Sequence, residues 1–372
     1  MLAHPSAELY GSDRVMLETL SALTDAGWTV TVVTPFAGPL QEEIRSRGGS
    51  PIVVDVPVLR KSSLTPLGLV KLAAAGVRGV VRIARVLRRH DPDVVYVSTL
   101  TQPLWLPVAR AGRRRVLCHV HEAEARVARP IRRALALPLL FAHRIIANSR
   151  FSLDVLTAEL PRLASRASVV YNGVAGPPEF APPRESLDGG LRVVYVGRLS
   201  PRKGVDLAVT AVTELTARGA EVRLELIGAV FPGYEWYEAQ LRSQAAPLGD
   251  RVAFRGFEPD IWHRLAFADV AVVPSRVDEP FGNTAIEAAL AARPVVVARS
   301  GGLPEAVAGL ESATVVPRDE ADILADALER IAADWPDARQ RALRDAASAA
   351  IRFSPDTYRA TVLAEFDAVS SR

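Results

Sequence analysis

Two blocks of short, β-branched apolar runs, each run divided from the next by an amphipathic stretch of helical length, set the terms for what this chain can fold into. In the first block the runs are WTVTVVT (28–34), PIVVDV (51–56), DVVYVS (93–98), RVLCHV (115–120), HRIIANS (143–149) and SVVYNG (168–173). In the second they are LRVVYVG (191–197), VRLELIG (222–228), RVAFRG (251–256), DVAVVPS (269–275), PVVVAR (294–299) and ATVV (313–316). The runs are continuous rather than alternating, the pattern of strands buried on both faces. The intervening stretches, such as DRVMLETLSALTDAG (13–27), carry apolar residues at helical spacing and stop at a glycine. Strand and helix in regular alternation predict an α/β fold with parallel, doubly wound sheets. Few residues precede Ser6, so a strand ahead of the loop around Gly11 is either very short or begins before residue 1.

AGPPEFAPPRESLDGG (175–190) separates the blocks, with four prolines and two closing glycines. It predicts a linker at 177–190 between domains at 1–176 and 191–353. A length of 372 residues suits two domains, and 49% hydrophobic with 23% charged residues is ordinary globular composition. Ligands of such sheets bind beyond the carboxyl ends of the strands, and with two domains the cleft between them is the default site. The single cysteine, Cys118, permits no internal disulfide and suits a reducing compartment; within VLCHV it reads as a small core residue. MLAHPSAELYGSDR has neither the basic start nor the apolar segment of a signal peptide, and no apolar run is long enough to cross a bilayer. The expectation is a cytoplasmic protein, soluble or peripheral at the inner face of a membrane. Arginine far outnumbers lysine, as in GC-rich bacterial genomes.

The net charge of +3 is unevenly spread: 23 basic residues against 14 acidic up to residue 180, then 22 against 28. A basic first half suits either an anionic partner, such as a lipid surface or phosphorylated substrate, or a solvated arginine-rich face. Nucleic acid is not expected, because the basic runs lack interleaved aromatics.

YVGRLSPRKGVDLAV (195–209) reads as strand, polar loop and helix, with Arg198 and Lys203 just past the strand. One planar fork and one mobile point charge there suit a diphosphate. DEPFGNTAIEAALAA (278–292) is a second strand-to-helix turn. The amides of Phe281, Gly282, Asn283 and Thr284 would point out of a helix N-terminus, an anion site that Gly282 lets a ligand approach closely. Glu287, about one turn inside the helix, can accept two hydroxyl hydrogen bonds from a ribose diol. Glu279 is placed for a sugar or a developing positive charge. Gly228 also allows close ligand approach, and the aromatic FPGYEWYEAQL (231–241) lines or covers the pocket. No cysteine/histidine cluster has metal-ligand spacing, and DPD (91–93) reads as a structural turn. His4, His90, His143 and His263 read as surface or satisfied core histidines.

Glu279 and Glu287 with seven residues between, VGRLSPRKG, ANSRFS (147–152), YNGV (171–174) and GGLPEAV (301–307) together resemble the retaining glycosyltransferases of the family 4 type, over almost the whole chain. That resemblance implies the GT-B fold, two Rossmann-like domains facing across a cleft, with the last helix, from about 354, returning to the first domain. It implies a nucleotide-diphosphate sugar as donor, held at the diphosphate by Arg198 and Lys203 and at the ribose by Glu287. Glu279 and the amides after it would contact the transferred sugar. ELYGSDR (8–14) takes the place of the family's glycine-rich loop with Gly11 alone. HVHEAEA (119–125) matches the family's cleft histidine at His121, and Glu122 stands where aspartate is common. His121 and Glu279 are then the catalytic candidates, with no metal or other cofactor and front-face attack by an acceptor hydroxyl. The acceptor, a surface glycan, lipid-linked precursor or small molecule, would bind the basic first domain. A nucleotide-sugar epimerase and an inactive nucleotide-sugar-binding protein are the competing readings. A dinucleotide oxidoreductase is weaker, since no G-x-G-x-x-G follows a strand.

Overall fold

The structure is a computed structural model that describes residues 1–9, 11–59, 66–123, 125 and 127–371, with residues 66–74 as backbone only. It divides into two compact units, Met1–Gly173 with Pro355–Arg372, and Val174–Ser354.

Among the described residues the first unit has a seven-stranded parallel sheet: β1 (Leu2–Ala3), β2 (Thr31–Thr34), β3 (Ser50–Val53), β4 (Val94–Val97), β5 (Arg115–Val120), β6 (Arg144–Ala147) and β7 (Ala167–Val169). Their order is β3-β2-β1-β4-β5-β6-β7. The helices are α1 (Gly11–Asp25), α2 (Leu40–Ser46), α3 (Pro66–His90), α4 (Trp105–Ala111), α5 (Arg129–Ala136), α6 (Arg150–Glu159) and, numbered by its place in the chain, α14 (Pro355–Ser370). Successive strand residues face opposite ways. Leu2, Val32, Tyr96, Leu117 and Ile146 pack under α1, α2 and α14. Ala3, Val33, Val97, Cys118 and Ile145 pack under α3, α4, the turn at Leu137–Phe141 and α6. α14 buries Tyr358, Val362, Phe366 and Val369, one stripe at helical spacing. Arg359 pairs with Glu18 at 2.7 Å, and Arg144 with Glu365 at 2.6 Å.

The second unit repeats the pattern with six parallel strands: β8 (Leu191–Val196), β9 (Val222–Ile227), β10 (Val252–Gly256), β11 (Val270–Val273), β12 (Val295–Ala298) and β13 (Ala313–Val316), ordered β10-β9-β8-β11-β12-β13. Around it lie α7 (Val205–Ala217), α8 (Glu235–Ala245), α9 (Trp262–Phe267), α10 (Asn283–Leu290), α11 (Leu303–Ala306), α12 (Ala321–Ala333) and α13 (Trp335–Arg352). α7, α8 and α12 cover one face, and α9, α10 and α11 the other. In both sheets the winding reverses beside the first strand, between β1 and β4 and between β8 and β11. That reversal opens a crevice at the carboxyl edge where loops can receive a ligand.

The proline-rich stretch expected as a linker is instead seated on the second unit. Arg184 grips Asp269 with two bonds of 2.7 Å, and Trp335 Nε1 donates to Arg184 O at 3.1 Å. Arg293, fully buried, donates to the carbonyls of Leu265, Ala266 and Ala181 at 2.6, 2.8 and 3.0 Å. Burial brings its pKa down to about 10. Proline forbids regular structure here, so side-chain bonds in both directions hold the segment, with Arg184 donating outward to Asp269, and Trp335 and Arg293 donating inward to its carbonyls. Arg293→Met keeps the apolar stem and removes all three bonds. It is expected to destabilise the second unit by about 3 kcal/mol, read as faster hydrogen–deuterium exchange in β11 and β12. Unchanged exchange there would show that the guanidinium does not hold this segment.

Candidate active site

In the second unit the loops after β8, β9 and β11 meet at one edge. Gly197 ends β8 with its N–H on Ile227 O at 2.9 Å, and Tyr195 Oη donates to Arg198 O at 2.8 Å. The Arg198 guanidinium lies over the Phe231 ring, 3.2 Å from its centroid, a cation–π contact. After a short 3-10 turn at Pro201–Lys203, Gly204 adopts φ +65°. A Cβ there would sit 2.1 Å from Pro274 O, so only glycine lets the two loops close together.

Glu279 is fixed from several directions. Its Oε2 accepts from Lys203 Nζ at 2.8 Å and its Oε1 from Ser275 Oγ at 2.8 Å. Its backbone carbonyl accepts from Gly302 N at 2.7 Å. A Cβ on Gly301 would fall 2.2 Å from that carbonyl, and one on Gly302 2.5 Å from Pro280 O. The neighbouring loop is locked in turn: Arg276 N donates to Arg202 O at 2.9 Å, and the Arg276 side chain bridges Asp206 and Asp319 at 2.6 Å each. Asp206 also accepts from Tyr237 Oη at 2.8 Å.

α10 begins straight after. The Phe281 side chain is buried in edge contact with Phe353, centroids 5.9 Å apart, so only its backbone is left to face a ligand. Gly282 precedes the first turn with φ +129° and offers no side-chain cap. The first N–H groups of a helix point out of its N-terminus, which makes this end electropositive. Asn283, Thr284 and Glu287 are half-buried along one face, while Ala285, Ile286 and Ala288–Leu290 are buried.

Two expectations change their physical reason. Gly228 was expected to admit a ligand, but a Cβ there would lie 1.9 Å from Gly197 O. The neighbouring strand end demands that glycine. Of the aromatic stretch, Tyr237 is core, whereas Tyr234 and Trp236 stack in the open, centroids 6.2 Å apart, so this segment flanks the edge. Surface cavities of about 470 and 370 Å³ open at the opposite edge, around Gly190 and Arg192, and contain none of these residues.

In the first unit, polar groups gather beyond β1, β4 and β5. Gly11 opens α1. Buried His4 bridges Ser98 Oγ and Asp13 Oδ1, each at 2.6 Å, which makes it a satisfied core histidine. His119, buried at the end of β5, bonds Tyr96 Oη through Nδ1 at 2.7 Å. The His121 ring stacks on it with centroids 3.9 Å apart, and the Nε2 atoms of both rings are buried without a partner among the described residues. Burial, then the electrostatic influence of the neighbouring His4, lowers the His121 pKa to about 3; His119 is lowered by burial and by His121. Both imidazoles are therefore neutral near pH 7, able to donate or accept a hydrogen bond but carrying no charge.

Glu122 holds this turn together, accepting from Thr99 Oγ1, from Leu100 N at 3.2 Å and from His121 N at 3.1 Å. Burial raises its pKa against those bonds. Cys118 is buried, and its thiol is pushed up by burial. Asp91 of the DPD turn has φ +43° and pairs with Arg114. Among the described residues no group of three or more His, Cys, Asp or Glu could hold a metal ion.

Ser275 and the His4–Asp13 pair escaped the sequence reading. Ser275 follows a strand that looked purely structural, and His4, just after β1, meets Asp13 of α1 only in the folded chain.

With this geometry in view, the relatives fall into place. The model of Glycosyltransferase Family 4 matches residues 10–175, and that of Glycosyl transferases group 1 matches residues 179–349. A GDP-mannose-dependent alpha-(1-6)-phosphatidylinositol monomannoside mannosyltransferase of Mycolicibacterium smegmatis is 32% identical over 68% of this chain and 70% of its own length. The chain belongs to this glycosyltransferase family, and its fold is GT-B. A D-inositol 3-phosphate glycosyltransferase of Catenulispora acidiphila is 36% identical over 58% of this chain, which spans 56% of that protein. The crystal structure of Anabaena HepE in complex with UDP and glucose aligns over 98% of both chains with a TM-score of 0.82 at 22% identity, a likeness of fold.

His121 provides a pH test. Unfolded, it titrates near 6.5; folded, near 3. Between those values the unfolded chain binds the extra proton, so stability falls as pH falls. His121 alone should make the protein about 2 kcal/mol less stable at pH 5 than at pH 7. His119 acts in the same direction, whereas Glu122, with its raised pKa, opposes it. Thermal melts across this range should show a shallower acid slope in His121→Asn than in wild type. Parallel slopes would contradict the buried, neutral assignment.

Proposed function

We propose that the protein is a retaining, metal-independent glycosyltransferase that moves a sugar from a nucleotide-diphosphate donor to an acceptor hydroxyl. The observation that carries this reading is the grip of Lys203 and Ser275 on Glu279 beside the N-terminus of α10, with Arg198 at the adjoining strand end. Arg198 and Lys203 are assigned to the donor diphosphate and Glu287 to the ribose. Glu279 and the amides of residues 281–284 are assigned to the transferred sugar, and Gly11 and Gly228 keep the loops near the donor slim.

In the proposed step the bond from the anomeric carbon to the β-phosphate oxygen breaks, and the nucleotide diphosphate leaves with the electron pair. Cations and a helix N-terminus stabilise that charge without a metal ion. The acceptor oxygen attacks the same face and gives its proton to the departing phosphate oxygen. Neutral His121 would hold a sugar hydroxyl close to the reacting carbon. The relatives support the donor class: one is named as GDP-mannose-dependent, and HepE is described with UDP and with UDP-glucose. The acceptor is assigned to the first unit and to the surface-glycan, glycolipid or related precursor class, in the cytoplasm. No helix among the described residues is long and apolar enough to cross a membrane.

Calorimetric titration with UDP-, GDP-, ADP- and TDP-sugars, EDTA present, tests the reading. One donor should bind, and Glu287→Ala should weaken it roughly 10- to 100-fold through loss of two charge-assisted hydrogen bonds. Glu279→Gln should bind the same donor but turn over far more slowly, because Lys203 loses its ionic partner. Failure of every donor to bind would overturn the donor-site assignment. A product isomerised without any acceptor would favour an epimerase, and binding without turnover an inactive sugar-nucleotide binder.

A further inference from the structure

The two helical layers of the first unit's sheet differ sharply in charge. On one face, α1, α2 and α14 hold eight Asp or Glu against three Arg. On the other, residues 75–90, 105–114 and 129–141, which include most of α3 and all of α4 and α5, hold eleven Arg and neither Asp nor Glu, and α6 adds one Arg with Asp154 and Glu159. This cationic layer is continuous: α3 packs on α4, α4 on the turn at Leu137–Phe141, and that turn on α5.

Flanking acids neutralise part of it, through Asp55 with Arg82, Asp91 with Arg114, and Glu159 with Arg129 and Arg132. Arg78, Arg85, Arg88, Arg89, Arg113 and Arg133 are exposed and make no ion pair among the described residues. Large apolar side chains are exposed among them. α3 buries Gly79, Ile83 and Leu87, so its outward face sets Val77 and Val81 between Arg78, Arg85 and Arg88. Val77 is 69% exposed and Val81 47%. At the other end of the layer, Ile131, Leu137, Leu140 and Phe141 are each between 38% and 45% exposed.

We propose that this layer is a membrane-docking face that takes an anionic bilayer surface, with the arginines on lipid phosphates and Leu140, Phe141, Val77 and Val81 entering the headgroup region. A soluble polyanion would account for the arginines but gives the exposed apolar residues nothing to bury against. An interface-lying helix requires both on one face. A bilayer also fits the one-sidedness, since a flat negative surface repels the acidic face opposite and so selects one orientation. This deepens the functional reading by naming the surface through which a lipid-linked acceptor would be met. Vesicle binding itself does not depend on the donor site.

The test is flotation of the full chain with vesicles of phosphatidylcholine alone and of equal parts phosphatidylcholine and phosphatidylglycerol. Binding is expected to the anionic vesicles only, and to fall with salt. Arg85→Gln with Arg88→Gln should weaken it by roughly fivefold for each charge removed. Leu140→Ser with Phe141→Ser should weaken it by at least tenfold at unchanged net charge. Both variants should keep the thermal shift given by the donor sugar, which shows that they fold and separates this proposal from the donor assignment. Equal binding to neutral vesicles, or none to either, would overturn it. So would wild-type vesicle binding by the serine variant, or equal capture of both forms by soluble polyphosphate, which would mark the layer as a polyanion site.

Discussion

Glu279 is held at three oxygens, and the geometry of the carboxyl edge of the second unit's sheet follows from that restraint. Lys203 and Ser275 each take one carboxylate oxygen, and Gly302 takes the backbone carbonyl. Because each partner comes from a different loop, one residue ties the ends of β8, β11 and β12 together. The ion pair is partly open to solvent, with the lysine side chain 36% exposed, so its own contribution to stability is small. Its role is positional. Side chains locked by neighbours in this way can meet a ligand without first being ordered.

The first unit solves a different problem. Its polar groups lie deep enough that charge would be costly, and they remain neutral or saturated. His4 is fully occupied, His119 and His121 are driven to the neutral state, and Glu122 spends its oxygens on the turn that carries His121. The two units thus present contrasting chemistries at equivalent edges of similarly wound sheets. One is ionic and lined by a helix N-terminus; the other is made of uncharged imidazole.

Most of the architecture could be read from the sequence because buried parallel strands announce themselves as unbroken apolar runs. Every one of these runs overlaps a strand, and among the described residues only β1, at two residues, is too short to form a run of its own. In the stretch at 177–190, proline and glycine report the absence of regular structure, whereas attachment is decided by distant partners such as Arg293 and Asp269. The same limit applies within the site. Arg198, Lys203 and Glu287 stand out because a strand-to-helix turn gives spacing a meaning. Ser275 and the backbone seat formed by Gly301 and Gly302 depend on which loops meet, and that is a property of the folded chain.

The return of α14 to the first unit has a consequence for how the molecule is made. The core under α1 includes Tyr358, Val362, Phe366 and Val369, and Tyr358 Oη lies 2.5 Å from Thr19 Oγ1. On the ribosome, the first 173 residues emerge with that half of their core unfilled, and they wait for the whole of the second unit before the missing helix arrives. The second unit is one uninterrupted stretch of chain and can close on its own as it emerges. The domain begun first is therefore the one completed last, and a chain truncated near its C-terminus leaves its earliest-made domain unfinished.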